Sequence, residues 1–476
     1  MHKNKIIILI TLVVVLIGIS ITLLSDGDGQ DEPYFPGYGN SGYDVLHYDI
    51  DITADLDNAT IAATVTIKAQ STEELTTFNL DFRGYEISSL TVNGSDAEYN
   101  REEGRELIIT PAATIANDET FAVAVTYSGS PRDVPVEEIE YHFGLGWSVH
   151  ENGVYVANEP IGASRWYPVN DHPTDKATFT FRVTVPQPYV VAANGLLQET
   201  IEDGDTITYI WATDHPMSSY LATINIGDFT RVEEEGPNGL PIRNYFPSHL
   251  VAEGNATFDD TSEMIAFFSD IFGPYPFEAY GVIVADVSFG FAMESQTLSL
   301  FSTSTLSPDS WQNAGGAEYV VAHELAHQWF GNSVTPARWR DIWLNEGFAS
   351  YAQLLWMEHT RGRAMFHGHL AGRYDFMSVG VGDDFLPPGA PAPHDIFSSS
   401  VYSRGALTLH ALRVRVGDDV FFEIMPTYYD RFKYSNATTE DFIAVAEEIS
   451  GQDLSDLFDG WLYDIDMPRK SELGLG

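Results

Sequence analysis

The segment from Val320 to Asn332, VVAHELAHQWFGN, places two histidines four residues apart in an otherwise apolar run, with a glutamate directly after the first. On an α-helix, residues i and i+4 lie on one face, so His323 and His327 can direct their imidazoles at one point. Two nitrogens that converge in apolar surroundings suit a zinc ion, and Glu324 lies near such an ion without having to bind it. The segment therefore predicts a metal site on a helix.

A catalytic zinc needs a third protein ligand and an open position for water. The segment WRDIWLNEGFASY offers Glu346, with eighteen residues between it and His327. That distance suits one helix, a loop and an antiparallel return. An acid at a helix start is often a solvated residue favoured by the helix dipole, but the neighbours Trp343 and Phe348 argue against this interpretation. We therefore expect a hydrolase with one Zn²⁺ per chain, held by His323, His327 and Glu346.

The elements that position these residues fall into two groups. HYDIDITADL and TFTFRVTV alternate apolar and polar residues with the period of half-buried strands, and similar short strands continue from Tyr43 to about Val232. EEEGPNGLP, from Glu233 to Pro241, breaks the pattern. We expect an all-β domain over residues 43–236.

Helical patterns dominate the remainder, residues 237–476. DDTSEMIAFFSDIFG repeats apolar residues at helical spacing up to Gly273, and YGVIVAD reads as a strand. TTEDFIAVAEEISG begins with a capping box at Thr438 and Asp441 and ends at Gly451. The predicted fold class is α+β multidomain, with the β domain followed by a mainly helical domain that contains a small sheet.

Charge excludes one class of partner. The 476 residues include 69 Asp and Glu against 24 Lys and Arg, which gives a formal net charge of -45. So acidic a chain repels phosphates, and the sequence has no dense basic patch, so we expect no nucleic-acid partner. Cysteine is absent, which excludes disulfides, a thiolate nucleophile and thiolate zinc ligands.

The N-terminus predicts export. Lys3 and Lys5 precede an uncharged stretch from Ile6 to Leu24, which as a helix would span roughly 28 Å, about the thickness of a bilayer core. We expect residues 1–24 to form a membrane signal anchor with the rest of the chain outside the cell; a cleaved signal peptide is the alternative. Residues 25–42, rich in Gly, Pro and Asp, are expected to form a flexible stalk.

Several segments together resemble one family. HELAHQWFGN and WLNEGFASY, with SRWYPVNDHPTDKATFTF and PMSSYLATINIGDF, are similar to motifs of the aminopeptidase N family of zinc gluzincins, over about Tyr43 to Pro468. The resemblance implies an N-terminal β-saddle domain and a thermolysin-like catalytic domain. Larger members continue into a β-sandwich and a helical roof where this sequence stops at Gly476, so we expect a two-domain enzyme with a more open cleft.

The resemblance also implies a substrate-amine site. FAMES, residues 291–295, corresponds to the family's Gly-x-Met-Glu-Asn motif and assigns substrate binding to Ala292, Met293 and Glu294. ANEP corresponds to the Gln-x-Glu stretch and adds Glu159. Fixed carboxylates in a closed pocket favour an ammonium, so peptides with a free N-terminus are the expected substrates. Phe291 replaces the family's glycine, which puts the shape of the pocket for the first side chain in question.

YSRG, residues 402–405, resembles the family's Tyr-x-Lys/Arg-Gly stretch. The resemblance implies that Tyr402 donates to the developing oxyanion, with Arg404 as a neighbour that contacts carboxylates or substrate carbonyls. Glu324 is expected to act as general base on a zinc-activated water and then to carry the proton to the leaving amine.

Two other functions stay open at this point. One is a gluzincin endopeptidase, in which Glu294 and Glu159 do not hold an amine. The other is a catalytically inactive surface binding protein, although inactive relatives usually lose a ligand or the base. His359, His367 and His369 could suggest a second metal site, but a hydrophilic turn is the simpler interpretation of their segment.

Overall fold

The structure is a computed structural model, and it describes residues 34–102, 104–134, 145–307, 316–380 and 382–475. The predicted signal anchor, residues 1–24, lies outside the described residues, as does the first part of the predicted stalk. Among the described residues, none of the helices combines the length and apolar character needed to cross a membrane.

The first half of the chain is built of strands, as predicted. Their bounds are Tyr43–Asp55 (β1), Thr60–Ser71 (β2), Phe78–Asp81 (β3), Glu86–Val92 (β4), Ser95–Asp96 (β5), Glu98–Glu102 (β6), Glu106–Thr110 (β7), Thr120–Gly129 (β8), Gly146–His150 (β9), Gly153–Ala157 (β10), Thr178–Pro186 (β11), Val190–Ala193 (β12), Leu196–Asp203 (β13), Thr206–Ala212 (β14), Ile224–Gly227 (β15) and Phe229–Glu235 (β16). In the described part of the chain, the largest sheet has the order β13-β14-β11-β1-β2-β8-β4-β5, and a second has the order β12-β15-β10-β9.

Alternation along the strands explains this sheet. In β1 the side chains of Tyr48, Ile50 and Ile52 are buried, while the intervening residues face solvent in part or in full. β11 alternates in the same way and pairs parallel to β1. Because successive side chains of a strand point to opposite faces, this register buries one apolar face of the sheet.

The second half is mainly helical, with a small mixed sheet, which confirms the predicted fold class. Its helices are Val251–Thr257 (α1), Thr261–Phe272 (α2), Ala317–Ala326 (α3), Trp343–Arg361 (α4), Arg363–Met377 (α5), Ser399–Val416 (α6), Asp418–Phe432 (α7), Thr439–Ser450 (α8) and Ser455–Phe458 (α9). Its strands are Pro241–Pro247 (β17), Val282–Ala285 (β18), Ser299–Ser302 (β19), Val334–Pro336 (β20) and Ser435–Ala437 (β21). The predicted capping box of α8 is confirmed, since Thr438 and Asp441 bond reciprocally and Gly451 ends the helix in left-handed conformation.

The predicted domain boundary falls in a tight turn. β16 and β17 pair antiparallel along their whole length, from Phe229 with Pro247 to Glu235 with Pro241, and the break between residues 236 and 237 lies in the turn that joins them. β16 therefore shares a sheet with β17, β18 and β19 of the second half. The Gly- and Pro-rich sequence of this turn marks a change of direction between paired strands.

The predicted stalk is wrong for its described part, residues 34–42. Phe35 and Tyr38 are buried in the core, and the ring of Phe35 packs edge-on against Trp339 at 5.9 Å. The hydroxyl of Tyr34 donates to the carbonyl of Pro391 at 2.9 Å. Composition favoured a linker here, but Tyr34 and Phe35 contact the second half, and Tyr38 packs against Arg83 and Arg105 of the first half.

Two glycines allow a close helix crossing. α4 and α6 pack against each other at Gly347 and Gly405, and a Cβ added at Gly405 would lie 2.9 Å from the Cα of Gly347. Side chains at this crossing would hold the helices farther apart. The crossing therefore fixes the first turn of α4, which contains Glu346, relative to the first turn of α6, which contains Tyr402.

The variant Gly405→Ala should test this crossing. We expect a fall of up to about 2 kcal/mol in the free energy of unfolding, since overpacking typically costs ~1–3 kcal/mol and the higher helix propensity of alanine offsets about 1 kcal/mol. Chemical denaturation is the measurement. Gly368→Ala is the matched control, because a Cβ at that helical position meets open space. Equal stability of the two variants would contradict a tight crossing.

Candidate active site

Helix α3 carries the first two predicted ligands at its C-terminal end. His323 lies within the helix, and His327 follows its last residue in helical conformation. The Nε2 atoms of the two imidazoles are 3.1 Å apart. The spacing of four residues thus directs both rings at one point, as the sequence predicts.

Glu346 completes the group from the first turn of α4. Its Oε2 lies 3.0 Å from Nε2 of His323 and 3.4 Å from Nε2 of His327. α3 and α4 run antiparallel, since Glu318 at the start of α3 accepts a hydrogen bond from Trp356 near the end of α4. The antiparallel return expected from the sequence is therefore the arrangement that brings Glu346 to the histidines.

This group fits a zinc ion. Zinc ligands at about 2.0–2.1 Å in tetrahedral geometry lie about 3.3 Å from one another, and the three ligand atoms here are separated by 3.0 to 3.4 Å. The three side chains are at most 12% exposed. We call Nε2 of His323, Nε2 of His327 and Oε2 of Glu346 the ligand triangle. Two imidazole nitrogens and a carboxylate oxygen are a typical donor set for zinc.

The protonation of His327 also suits a ligand. Its Nδ1 lies 3.1 Å from the carbonyl oxygen of Phe330, which can only accept, so Nδ1 carries the hydrogen. Nε2 then presents a lone pair to the triangle. A backbone carbonyl that holds the outer nitrogen in this way is a common support for metal-binding histidines.

Glu324 lies beside the triangle without being part of it. It is 6% exposed, and a carboxylate oxygen lies within 4.8 Å of ligand-type atoms of His327 and Glu294. Burial raises the pKa of Glu324 above its ordinary value. A carboxylate whose pKa is raised toward neutrality is a more effective general base than a solvated one.

Tyr402 closes the other side of His323. The two rings are nearly parallel, at an interplanar angle of 18° and a centroid distance of 5.9 Å. Burial holds the pKa of Tyr402 well above its ordinary value, and the negative charge of Glu346 adds to the rise. The phenol therefore keeps its proton and can donate a hydrogen bond at this position.

A cavity of about 340 Å³ opens over the triangle. The structure brings nine of the predicted site residues to its wall: Glu159, Ala292, Met293, Glu294, His323, Glu324, His327, Glu346 and Tyr402. The β domain contributes Glu159, which follows β10, and the loop before β19 contributes residues 292–294. The cavity is thus built by both halves of the chain.

Glu159 and Glu294 each present an unpaired acceptor. Oε1 of either carboxylate is buried and has no hydrogen-bond partner among the described residues, and the two residues are 9% and 3% exposed. Burial raises the pKa of both groups, and the negative charge of Glu294 adds to the rise at Glu159. Such orphaned acceptors call for a buried donor, and a positively charged donor satisfies them best.

The backbone of Glu294 is held by two side chains that the sequence reasoning missed. Its carbonyl accepts from Nε2 of Gln328 at 3.0 Å and from Nδ2 of Asn332 at 2.6 Å. Both residues belong to the segment HELAHQWFGN, and two buried amides within a metal motif were the available signal. These two hydrogen bonds join the loop before β19, which contains Glu294, to the end of α3.

The β domain supports this corner through a lysine. Nζ of Lys176 donates to the carbonyl oxygens of Asn332 and Ser333 at 3.1 and 3.0 Å. The residue belongs to the segment SRWYPVNDHPTDKATFTF, where the sequence indicated a signature without a role. Through these bonds Lys176 of the first half supports Asn332, which in turn holds the backbone of Glu294.

Arg404 does not line the cavity. Its Nε donates to the carbonyl of Trp461 at 2.8 Å, and Nη2 donates to the carbonyls of Gly460 and Asp464 at 2.9 and 2.5 Å. The prediction that Arg404 contacts substrate is therefore corrected. These hydrogen bonds join α6, which carries Arg404, to the backbone of the segment after α9.

The three histidines considered for a second site are placed on helices. His359 lies in the last turn of α4, and His367 and His369 lie in α5. None of them belongs to the metal-type groups found in the described ranges, which are His323 with His327 and Glu346, and His327 with Glu294 and Glu324. The turn expected for this segment is a short break at Gly362 between α4 and α5.

Comparison with solved structures finds the same architecture. An M1 zinc metallopeptidase of Deinococcus radiodurans, solved as a variant bound to a Tyr-Ser-Ala substrate, is 30% identical with a TM-score of 0.83, and the match covers 92% of this chain and 98% of that one. A two-domain M1 zinc metallopeptidase variant bound to L-tryptophan matches with the same identity, coverage and TM-score.

Curated relatives are longer proteins. Aminopeptidase M1 of Arabidopsis thaliana is 27% identical over 87% of this chain and 49% of its own length. Aminopeptidase A of Gloydius brevicauda is 27% identical over 89% of this chain and 46% of its own length. The chain thus spans about half the length of these relatives.

Family models match both halves in order. The peptidase M1 N-terminal domain matches residues 45–221, and the peptidase family M1 domain matches residues 256–461. The second range contains the triangle, Glu324 and Tyr402, and the first contains Glu159. Because these two matches and the near-complete structural match agree, the chain belongs to peptidase family M1, the M1 zinc metallopeptidases.

Proposed function

We propose that this protein is a zinc-dependent aminopeptidase, which hydrolyses the peptide bond after the N-terminal residue of peptides. The unpaired buried oxygens of Glu159 and Glu294, beside the metal triangle, carry the proposal. A protonated N-terminal amine supplies the positively charged donors that these oxygens lack. The names of the curated relatives, which are aminopeptidases, support the same activity.

Covalent geometry explains why such a site would select the first peptide bond of the substrate. In an amino-terminal residue, the amine nitrogen and the carbonyl carbon are about 2.5 Å apart across Cα. Carboxylate oxygens of Glu294 and Glu324 lie within 4.8 Å of a ring nitrogen of His327, so an amine held by Glu294 sets its own residue's carbonyl beside the triangle. The next peptide bond along the substrate lies a further residue away.

The described side chains then divide the chemistry. Zinc, when bound by the triangle, polarises the scissile carbonyl and lowers the pKa of water at the site. Glu324 removes a proton from the attacking water and delivers it to the leaving amine. Tyr402 donates a hydrogen bond to the carbonyl oxygen as negative charge develops there, a contribution typically worth ~3–4 kcal/mol.

A blocked N-terminus should abolish turnover. Acetylation removes the positive charge that Glu159 and Glu294 would hold, so we expect a peptide such as Ala-Ala-Phe to be cleaved and its N-acetyl form to resist. In Glu294→Gln, loss of one charge-assisted hydrogen bond should lower kcat/KM for the free peptide about 10- to 100-fold. The measurement is product release followed by chromatography.

Glu253→Gln, on an exposed turn of α1, is the control for the change of charge. Cleavage of the acetylated peptide at an internal bond, with no effect of Glu294→Gln, would favour the endopeptidase alternative over the aminopeptidase.

Two variants should distinguish zinc binding from general-base catalysis. The purified protein is expected to contain one zinc per chain by elemental mass spectrometry, and Glu346→Ala should lose most of it. Glu324→Gln should keep the zinc and lose about 10²- to 10⁴-fold in kcat, the usual range for a general base. A metal-free wild-type protein, or an active Glu324→Gln, would contradict these roles. Zinc binding without any hydrolysis would favour an inactive binding protein.

We also propose export through residues 1–24, which rests on their sequence alone. The full chain should sediment with membranes after cell lysis, and a variant that lacks residues 1–24 should not. A mature N-terminus downstream of residue 24, determined by protein sequencing, would replace the anchor with a cleaved signal peptide. Recovery of the intact chain from the cytosolic fraction would contradict export.

A further inference from the structure

Arg373 is a cation on the cavity wall that the proposed chemistry does not use. It lies on α5 and lines the cavity together with Ser350 and Gln353 of α4. No carboxylate of the described residues lies within ion-pair distance of its guanidinium, unlike Arg413, which pairs with Glu358 at 2.7 Å. In a chain with 69 acids and 24 Lys and Arg, a half-buried arginine without such a partner needs an explanation.

The two helices that carry the metal ligands, α3 and α4, define the two ends of the cavity. Val320 on α3 and Gln353 on α4 also line the wall, seven residues from His327 and Glu346 respectively. At 1.5 Å per residue, Val320 lies about 10 Å along α3 from His327 and about 4.5 Å from His323, and Gln353 lies about 10 Å along α4 from Glu346. Because α3 and α4 are antiparallel, both residues mark the same end of the cavity, opposite the end where Glu294 approaches His327.

Arg373 belongs to this far end. α5 starts directly after Gly362 and packs against α4, and Arg373 and Gln353 line the same cavity. The side chain of Arg373 lines the same cavity as His323 and Tyr402. The cavity therefore has acidic groups at one end and an arginine at the other.

We propose that Arg373 binds the carboxylate of the leaving portion of the substrate, so that the enzyme prefers tripeptides with a free C-terminus. The inference rests on the proposed aminopeptidase function and adds a substrate class to it. An extended chain spans about 3.5 Å per residue, so the terminal carboxylate of a tripeptide lies about 7 Å beyond the scissile carbonyl. Gln353, which lines the same cavity as Arg373, lies about 10 Å along α4 from Glu346, so this distance falls within the length of the cavity.

Electrostatics favours this assignment over a purely structural role. Burial lowers the pKa of Arg373 to about 10, so the group is charged at neutral pH. A half-buried guanidinium is stabilised by a carboxylate that accepts two parallel hydrogen bonds from it. A zwitterionic short peptide would place its ammonium at Glu159 and Glu294 and its carboxylate at Arg373, matching both ends at once.

The test compares free and amidated peptides on the zinc-loaded full chain. For Leu-Gly-Gly against Leu-Gly-Gly-amide, we expect wild-type kcat/KM to favour the free acid by about tenfold or more, as a charge-assisted pair implies. In Arg373→Gln this ratio should fall to about one, and Arg373→Lys, which keeps the charge, should restore part of it. Arg431→Gln, an exposed site on α7, removes the same charge elsewhere and should leave the ratio as in wild type.

Further arms separate the alternatives. A peptide amide with Asp at the second position is compared with its Asn counterpart, because an acidic side chain offers the same chemistry as a C-terminus. Preference for the Asp peptide without any preference for the free C-terminus would overturn the assignment to short peptides. An unchanged acid-to-amide ratio in a folded Arg373→Gln would also overturn it. In either case, hydrolysis of unblocked peptides by the wild type would leave the proposed aminopeptidase function intact, and its absence would overturn that function itself.

If Arg373→Gln folds poorly, equilibrium binding gives a second readout. Leu-Gly-Gly and its amide are titrated calorimetrically into Glu324→Gln and into Glu324→Gln with Arg373→Lys. Tighter binding of the free acid in the first, reduced in the second, supports the carboxylate site. Equal affinities for the two peptides in Glu324→Gln would overturn it.

Discussion

Buried negative charge is the constraint on which the rest of the structure depends. Glu159, Glu294, Glu324 and Glu346 line one cavity of about 340 Å³, and burial alone makes each of these charges costly. Their mutual repulsion raises the cost further. Two kinds of cation would relieve it: a metal ion at the ligand triangle and, in the proposed function, the ammonium group of a peptide at the unpaired oxygens of Glu159 and Glu294. The cavity therefore selects its ligands by charge as well as by shape.

The surrounding fold keeps these acids from separating. The close crossing of α4 and α6 at Gly347 and Gly405 sets the distance between the helix that carries Glu346 and the helix that carries Tyr402. Gln328 and Asn332 tie the backbone of Glu294 to the end of α3. Because these bonds are made to the backbone, they place the carboxylate without neutralising it.

Two internal cations, Lys176 and Arg404, bond to backbone carbonyls. Lys176 donates to the carbonyls of Asn332 and Ser333, and Arg404 donates to three carbonyls after α9. Carbonyl oxygens satisfy these donors and leave the acids of the cavity free for ligands. Arg373 is different because it faces the cavity itself. The cavity therefore contains buried carboxyl groups and one positively charged guanidinium.

The sequence by itself determined the elements and the metal set, because both depend on local periodicity. Spacing of four residues on one helix fixed the convergence of His323 and His327, and alternation fixed which face of β1 is buried. The glutamate in an apolar helix start predicted the third ligand correctly. The family's motifs supplied Tyr402, Glu294 and Glu159, which spacing alone could not connect.

Only the tertiary structure decided the contacts between distant segments. Composition gave residues 34–42 the character of a linker, yet Phe35 packs against Trp339 of the second half and Tyr38 against Arg83 and Arg105 of the first. Arg404 follows Tyr402 by two residues in the sequence, but its guanidinium donates to the backbone of another segment. Arg373 carries no motif and reaches the cavity because α5 folds back along α4. The physical reason is common to all of these: burial and charge pairing depend on neighbours in space, and a single sequence shows only neighbours along the chain.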